Sequence, residues 1–288
     1  MKIVSYKKKS AAEDGEIFAG ALVASGVVPL AQFGCESVRA LIEKGSSEWN
    51  SLSGEIARVP QEGRLSLSEI TLVGPLPNPG KIVCVGLNYR DHAIESKMEI
   101  PSVPTVFAKY PSSVTGPDAP IVIPRMTKKA DWEAELAVVI GKHAKNASEQ
   151  GWEDYVFGYT ILNDVSARDV QLATSQWTLG KSFDTFAPIG PCIATKDEIG
   201  DPHALNIQLS IDGVRQQNSN TRELIFRIPA LIAYISSIIP LEPGDIISTG
   251  TPAGVGLGQN PQRWLRPGEE VVIEIDGIGS LRNPVVAE

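Results

Sequence analysis

Hydrophobic residues along this chain gather in many short runs, not in long helical stripes. The segments KIVCVGLNY, PTVFAKY, APIVIP, EAELAVVIG, FGYTILNDVS, LNIQLSIDG, DIISTGTP and EVVIEIDGIGSLRNPV are rich in β-branched or aromatic residues and bounded by Gly, Pro, Asn or Asp. That patterning predicts strands. Helical spacing is rarer. It follows Tyr89 toward ESKMEI, and is present in SEQGWEDYV and in TRELIFRIPALIAYISSII, which predicts the longest helix and a core or dimer contact. Strands and helices do not alternate regularly, so a Rossmann-like or barrel arrangement is disfavoured and a β-rich α+β fold is expected.

The same pattern divides the chain into residues 1–75, a small N-terminal α+β unit, and residues 76–288, a larger strand-rich domain. The first unit opens with MKIVSY as a strand. IFAGALVASGVVPL, broken by Gly20, Gly26 and Pro29, reads as strand–turn–strand. It is not expected to be a targeting segment or a membrane span. Glu13, Asp14 and Glu16 separate it from Lys7, Lys8 and Lys9, and it falls short of the roughly 18 uninterrupted apolar residues of a spanning helix. SVRALIEKGSSEW predicts a helix capped by Ser37 and ending near Gly45. GPLPNPGK, residues 74–81, alternates Pro and Gly and predicts the linker.

Composition narrows the partners. At 288 residues, with 42% hydrophobic and 21% charged residues, the chain has the ordinary balance of a globular protein and can bury a sizeable core. Its net charge is −8 and it has no basic cluster, which argues against nucleic acid and acidic membranes. Cys35, Cys84 and Cys192 are far apart and odd in number. They read as small buried hydrophobes in a cytoplasmic protein, not as a disulfide framework or zinc knuckle.

Candidate chemistry begins in KADWEAELAVVIG. Asp131, Glu133 and Glu135 fall at every second position. On a strand they share one face, with Trp132, Ala134, Leu136, Val138 and Ile140 on the other. A solvated face is one explanation. Against it, the acid face runs on into Ala137 and Val139, which are apolar. Carboxylates at i and i+2 also set two oxygen ligands side by side, as a hard cation such as Mg²⁺ requires. Asp164 follows the apolar Tyr159–Leu162 stretch of YTILNDVSARDVQ, and offers either a third oxygen ligand or a cap for the helix after it. Arg168 and Gln171, at i+4 and i+7 from Asp164, fall near the same helical face and could reach a ligand held there.

In GLNYRDHAIE, His92 and Glu95 stand at i and i+3, close enough on a helical turn to hydrogen-bond. A carboxylate partner fixes the imidazole tautomer and raises its basicity, as in a His–carboxylate base, although a histidine on a helix can equally be structural. His143 and His203 stand in charged surroundings and are expected at the surface. DIISTGTPAGVGLG places glycines after a strand, but it lacks the Lys-Ser/Thr of a nucleotide loop and its glycines do not space as G-x-G-x-x-G. Its backbone amides, with Thr249 and Thr251, suit a carboxylate instead.

Five segments in order, VGLNYRDHAIE, KADWEAELAVVIGK, NDVSARDVQ, WTLGKSFDTFAPIGP and STGTPAGVG, resemble the fumarylacetoacetate hydrolase family over residues 80–285, in its shorter acylpyruvase and decarboxylase branch. The resemblance implies a mixed, rolled β-sheet domain of the fumarylacetoacetase C-terminal type. It implies a homodimer that holds Mg²⁺ or Mn²⁺ through three carboxylates, matching Glu133, Glu135 and Asp164. It further implies His92 and Glu95 as the base pair on a lid segment, Lys181 as a catalytic pocket lysine, and Arg168, Gln171, Lys181 and Thr251 as substrate-binding positions. The founding hydrolase carries one more aspartate ligand ahead of its histidine, in a motif not found here. Asp91 does not fit that spacing, which points away from fumarylacetoacetate itself.

The expected activity is metal-dependent hydrolysis of a C–C bond in a small anionic 2,4-diketo acid or acylpyruvate. In it, His92 deprotonates water and a metal-stabilised enolate leaves. Decarboxylation or keto–enol isomerisation of an oxaloacetate-like acid is the alternative open to the same residues. A non-catalytic metal-binding module is the rival class, and it would need neither His92, Glu95 nor Lys181.

Overall fold

The computed structural model describes residues 1–9 and 15–288; Glu13 and Asp14, which precede the first apolar run, lie outside the described residues. An eleven-stranded mixed sheet forms the spine. Its main path runs Gly26–Pro29, Phe18–Val23, Lys2–Lys8, Ala187–Thr195, Val156–Asn163, Ala134–Ile140, Ile246–Ser248, Ile82–Gly86 and Thr105–Lys109. Neighbours on this path are antiparallel except Ile246–Ser248 beside Ile82–Gly86, which run parallel. A five-stranded sheet orders Val214–Asn220, Asn206–Ile211, Glu270–Ile275, Gly279–Ala287 and Ile121–Ile123. The result is the β-rich α+β architecture that the short apolar runs predict.

Ala134–Ile140 lies where two cores meet, and every one of its residues is buried. Trp132, Ala134, Leu136, Val138 and Ile140 join a core with Ile207 and Leu209 of the second sheet and Leu231 and Ile235 of the helix Ile228–Ile238. Ala137 and Val139 enter a different core, with Leu41 and Ile42 of the helix Val38–Glu43 and Trp49 and Ile56 of the helix Ser46–Ala57. Beyond Glu135 the acid-bearing face is therefore dry. Coverage on both faces explains why the strand's later residues form a continuous apolar run.

Residues 1–75 and the remainder share that sheet. Lys2 and Ile3 pair with Ala194 and Ile193, while residues 74–81 cross between the two parts with no regular element. The run IFAGALVASGVVPL forms the strand pair Phe18–Val23 and Gly26–Pro29, as its glycines predict. Ser37 caps its helix by accepting from Ala40 N at 3.1 Å. Gly45, at φ +87°, then separates two helices where one is expected. The second, Ser46–Ala57, has 12 residues and exceeds the 11 of Ile228–Ile238, which was expected to be longest. Pro229 sits in the first turn of Ile228–Ile238, where its ring and missing N–H stop the helix running back through TRELIFR. SEQGWEDYV makes only the 3₁₀ turn Trp152–Tyr155. All three cysteines are buried and free. Among the described residues no helix is long and apolar enough to cross a membrane.

Candidate active site

The strand bearing the acids breaks at residues 132–133. Ala130–Asp131 pairs with Ser166–Ala167, apart from Ala134–Ile140. At the break, Glu133 N donates to Asn163 Oδ1 at 3.1 Å and Ala134 N to Gln217 Oε1 at 2.9 Å. Side chains there take the place of strand partners. The three acids consequently do not act as one row. Asp131 accepts from Arg168 Nε at 2.8 Å and from the amides of Trp132, Gly256 and Leu257. Glu133 and Glu135 instead meet Asp164, which follows the strand Val156–Asn163 paired beside them. One oxygen from each of Glu133, Glu135 and Asp164 lies within 4.8 Å of the others, and all three residues are buried.

Cations surround two of these carboxylates. Lys181 Nζ donates to Glu133 Oε2 at 2.8 Å and to Asp164 Oδ2 at 2.7 Å, and Lys109 Nζ donates to Asp164 Oδ1 at 2.6 Å. Arg168 Nη2 forms an ion pair with Glu133 Oε1 at 2.6 Å. Burial pushes the Glu133 carboxyl up, but Lys181 and Arg168 outweigh it and hold the group at about 2. Glu135 has no such cation. Its Oε2 accepts from Ser248 Oγ at 2.6 Å and Gly250 N at 2.9 Å, while burial, then the charges of Asp164 and Glu133, push it up to about 8.

With Asp131 included, four carboxylates face the three cations Lys109, Arg168 and Lys181, leaving one surplus negative charge when all are ionised. A divalent cation would reverse that sign and suit the cavity to anions. The donors that converge are all carboxylate oxygens, a set that favours Mg²⁺ or Mn²⁺ over softer metals. The Lys181 ammonium, touching two of the three carboxylates, acts as a stand-in cation. The residues fit the metal.

The dyad forms the wall above. His92 and Glu95 lie on the helix Arg90–Ser96, with His92 Nδ1 3.0 Å from Glu95 Oε2. Glu95 Oε1 accepts from Gly254 N at 2.9 Å. His92, Glu95, Glu133, Glu135, Arg168, Gln171, Lys181 and Thr251 all line one cavity of about 640 Å³, while Asp164 lies beneath it, reached through Lys181. Leu87, Met98, Phe107 and Trp177 give the cavity an apolar side. Gln171 Oε1 accepts from Arg168 Nη1 at 3.0 Å, so the pair forms one unit. Thr251 spends its hydroxyl proton on Ala134 O at 2.9 Å and accepts from Gln217, bracing the break in the strand.

Several sequence expectations change. Asp164 is no helix cap, since the helix Arg168–Gln171 has no side-chain cap bond. His203 is not a surface residue: its side chain is 9% exposed, Nε2 accepts from Ile228 N at 3.2 Å, and Nδ1 stands 3.3 Å from Asp201. His143 is exposed beside Glu242, as expected. The loop after Ile246–Ser248 does bind a carboxylate, but it is the protein's own Glu135. Gly250 lies at φ +102°, where a side chain would be strained, and turns its amide to that oxygen. Lys109 escapes a sequence reading, its one signal being a lysine closing the otherwise apolar run PTVFAKY.

Comparison with known proteins finds relatives over most of this chain. Residues 81–286 match the family described as fumarylacetoacetate (FAA) hydrolase C-terminal. A Xenopus laevis protein named oxaloacetate tautomerase fahd2, mitochondrial, is 50% identical over 224 residues, 77% of this chain and 70% of its own length. A Rattus norvegicus oxaloacetate tautomerase, Fahd2a, also named as mitochondrial, is 40% identical over 272 residues, 92% of this chain and 85% of its own. Cytoplasmic residence is the expectation from the sequence; both relatives carry the other location in their names. Among solved structures, a maleylpyruvate hydrolase from Sphingobium sp. SYK-6, in complex with manganese(II) ion and pyruvate, superposes with a TM-score of 0.82 at 30% identity, covering 100% of this chain and 99% of that one.

Proposed function

The chain belongs to the fumarylacetoacetate hydrolase family, and from that premise we propose that it is a divalent-cation-dependent tautomerase of a small 2-oxo dicarboxylic acid of the oxaloacetate class. The observation that carries this reading is a single cavity lined both by the His92–Glu95 dyad and by the carboxylate cage. The name of the Xenopus laevis relative supports the substrate class.

Tautomerisation moves one proton between C3 and the oxygen on C2. Glu95 holds the Nδ1–H of His92, which leaves Nε2 as the base that takes the C3 proton. The electron pair of the broken C–H bond becomes the C2=C3 double bond, and the C2 oxygen takes a proton from the Lys181 ammonium. Proton return from the imidazolium to Lys181 through solvent restores both groups. Arg168, steadied by Gln171 and Asp131, pairs with a substrate carboxylate. Glu133, Glu135 and Asp164 would hold Mg²⁺ or Mn²⁺, which when bound supplies positive charge to stabilise an enolate.

A second reading uses the same residues. The cavity of about 640 Å³ has more room than a four-carbon acid fills, which favours hydrolysis of a longer acylpyruvate-type acid, with His92 taking its proton from water. The manganese- and pyruvate-bound maleylpyruvate hydrolase neighbour supports that chemistry. Enol absorbance of oxaloacetate with Mg²⁺ or Mn²⁺ tests tautomerisation. Mass spectrometry for pyruvate, from acylpyruvates and from oxaloacetate, tests hydrolysis and decarboxylation. His92→Ala is expected to slow the reaction about 10²- to 10⁴-fold while leaving cation affinity in place. Full activity in that variant, or acceleration of none of these reactions by the wild type, overturns the proposal.

A further inference from the structure

The helix that carries the dyad cannot hold itself in place. Arg90–Ser96 has 7 residues, well under the roughly 12–15 at which an isolated helix becomes even marginal in water. Tyr89 at its N-cap makes no side-chain cap bond, and Lys97 closes it in the left-handed region at φ +53°. Ala93 is its one buried residue, and Ile94 is 78% exposed. Its position must come from ties to the rest of the protein.

Asp91 supplies two of them, to Ala253 and Ser219, beside one bond within the helix. Its Oδ1 accepts from His92 N at 2.7 Å and from Ala253 N at 3.4 Å, and its Oδ2 accepts from Ser219 Oγ at 2.6 Å. The next amide of the same loop, Gly254 N, goes to Glu95. Further along, the amides of Gly256 and Leu257 go to Asp131, the carboxylate that holds Arg168. Residues 253–257 thus register the dyad helix on one side against the substrate-facing arginine on the other. The place of Asp91 in the first turn, where backbone N–H groups lack helical partners, explains the bond from His92 N. It leaves unexplained Ser219, which reaches Asp91 across 128 residues of sequence.

We propose that Asp91 and Ser219 are positioning residues, which hold the dyad helix against residues 253–257 so that His92 meets a substrate placed by Arg168. Only the kinetic part of this rests on the tautomerase reading.

Hydrogen–deuterium exchange on the full chain reads the helix without any substrate. Asp91→Ala and Ser219→Ala are each expected to speed exchange at amides 92–96 about tenfold, the scale of one lost charge-assisted hydrogen bond. The double variant should exchange no faster than Asp91→Ala, and amides of Ala134–Ile140 should be unaffected. Asp91→Asn keeps an acceptor for His92 N and can donate to Ser219, so it should restore slow exchange. In turnover, kcat should fall in both alanine variants with KM and Mn²⁺ affinity nearly constant. Ser219→Ala also keeps the test decisive if Asp91→Ala does not fold. Unchanged exchange in Ser219→Ala, or additive effects in the double variant, overturns the proposal. If the exchange responds as expected while the wild type turns over no 2-oxo acid, the tautomerase reading fails and the positioning role stands.

Discussion

Replacing Lys181 with Met tests the carboxylate cage most directly. Lys181 is 2% exposed, and its ammonium is the shared partner of Glu133 and Asp164. Removing one partner of a buried ion pair costs about 3–5 kcal/mol. Here the lower end applies, because Glu133 keeps Arg168 and Asp164 keeps Lys109. At about 2–4 °C per kcal/mol for chains of comparable size, a loss of about 3 kcal/mol lowers Tm by about 6–12 °C. A divalent cation bound among Glu133, Glu135 and Asp164 takes over the missing charge. Present at about 100 times its Kd, it returns about 2.7 kcal/mol and therefore most of that loss. The wild type should gain less, since there the cation must share the two carboxylates with the ammonium. Thermal scans of both proteins with chelator, Mg²⁺ or Mn²⁺ make the comparison. A variant as stable as the wild type in chelator, or one that gains no more than the wild type from the cation, would refute the reasoning.

Two further predictions concern residues outside the cage. Burial lowers the His203 pKa, Asp201 opposes this and Arg227 adds to it; the net is below the usual 6.5, in keeping with Nε2 accepting the Ile228 amide. Below 6.5 the unfolded chain binds the proton that the folded chain refuses, so the stability owed to neutral His203 is present above 6.5 and lost as pH falls from there through the folded pKa. Tm plotted against pH should fall more steeply below that point for the wild type than for His203→Gln, whose amide oxygen can accept the same N–H; equal slopes would remove His203 as the cause. A Cβ at Gly258 would lie 2.5 Å from Glu95 Cδ. Gly258→Ala should therefore displace Glu95 and lower kcat about tenfold or more, at a stability cost of about 1–3 kcal/mol. Unchanged kcat with a lowered Tm would show that Glu95 does not orient the base.

Where a feature of this protein is local, its sequence determines it. Period two alone sends Ala134, Leu136, Val138 and Ile140 into one core. One helical turn is enough to bring Glu95 to His92, whatever surrounds them. Glycines and a proline within IFAGALVASGVVPL are enough for a strand pair. Tertiary structure alone decides which acids act together. Asp131 shares the alternation of Glu133 and Glu135, yet Asn163 and Gln217 break the strand between them and Arg168 claims Asp131. Lys109 reaches Asp164 across 55 residues and Lys181 across 17, and no spacing rule announces either. His203 looks solvated by its charged neighbours in sequence, but it is packed beside Trp152 and bonded to the start of a helix. The physical reason is common to all three. The energy of a charge depends on its distance from other charges and from water, and separation along a folded chain measures neither.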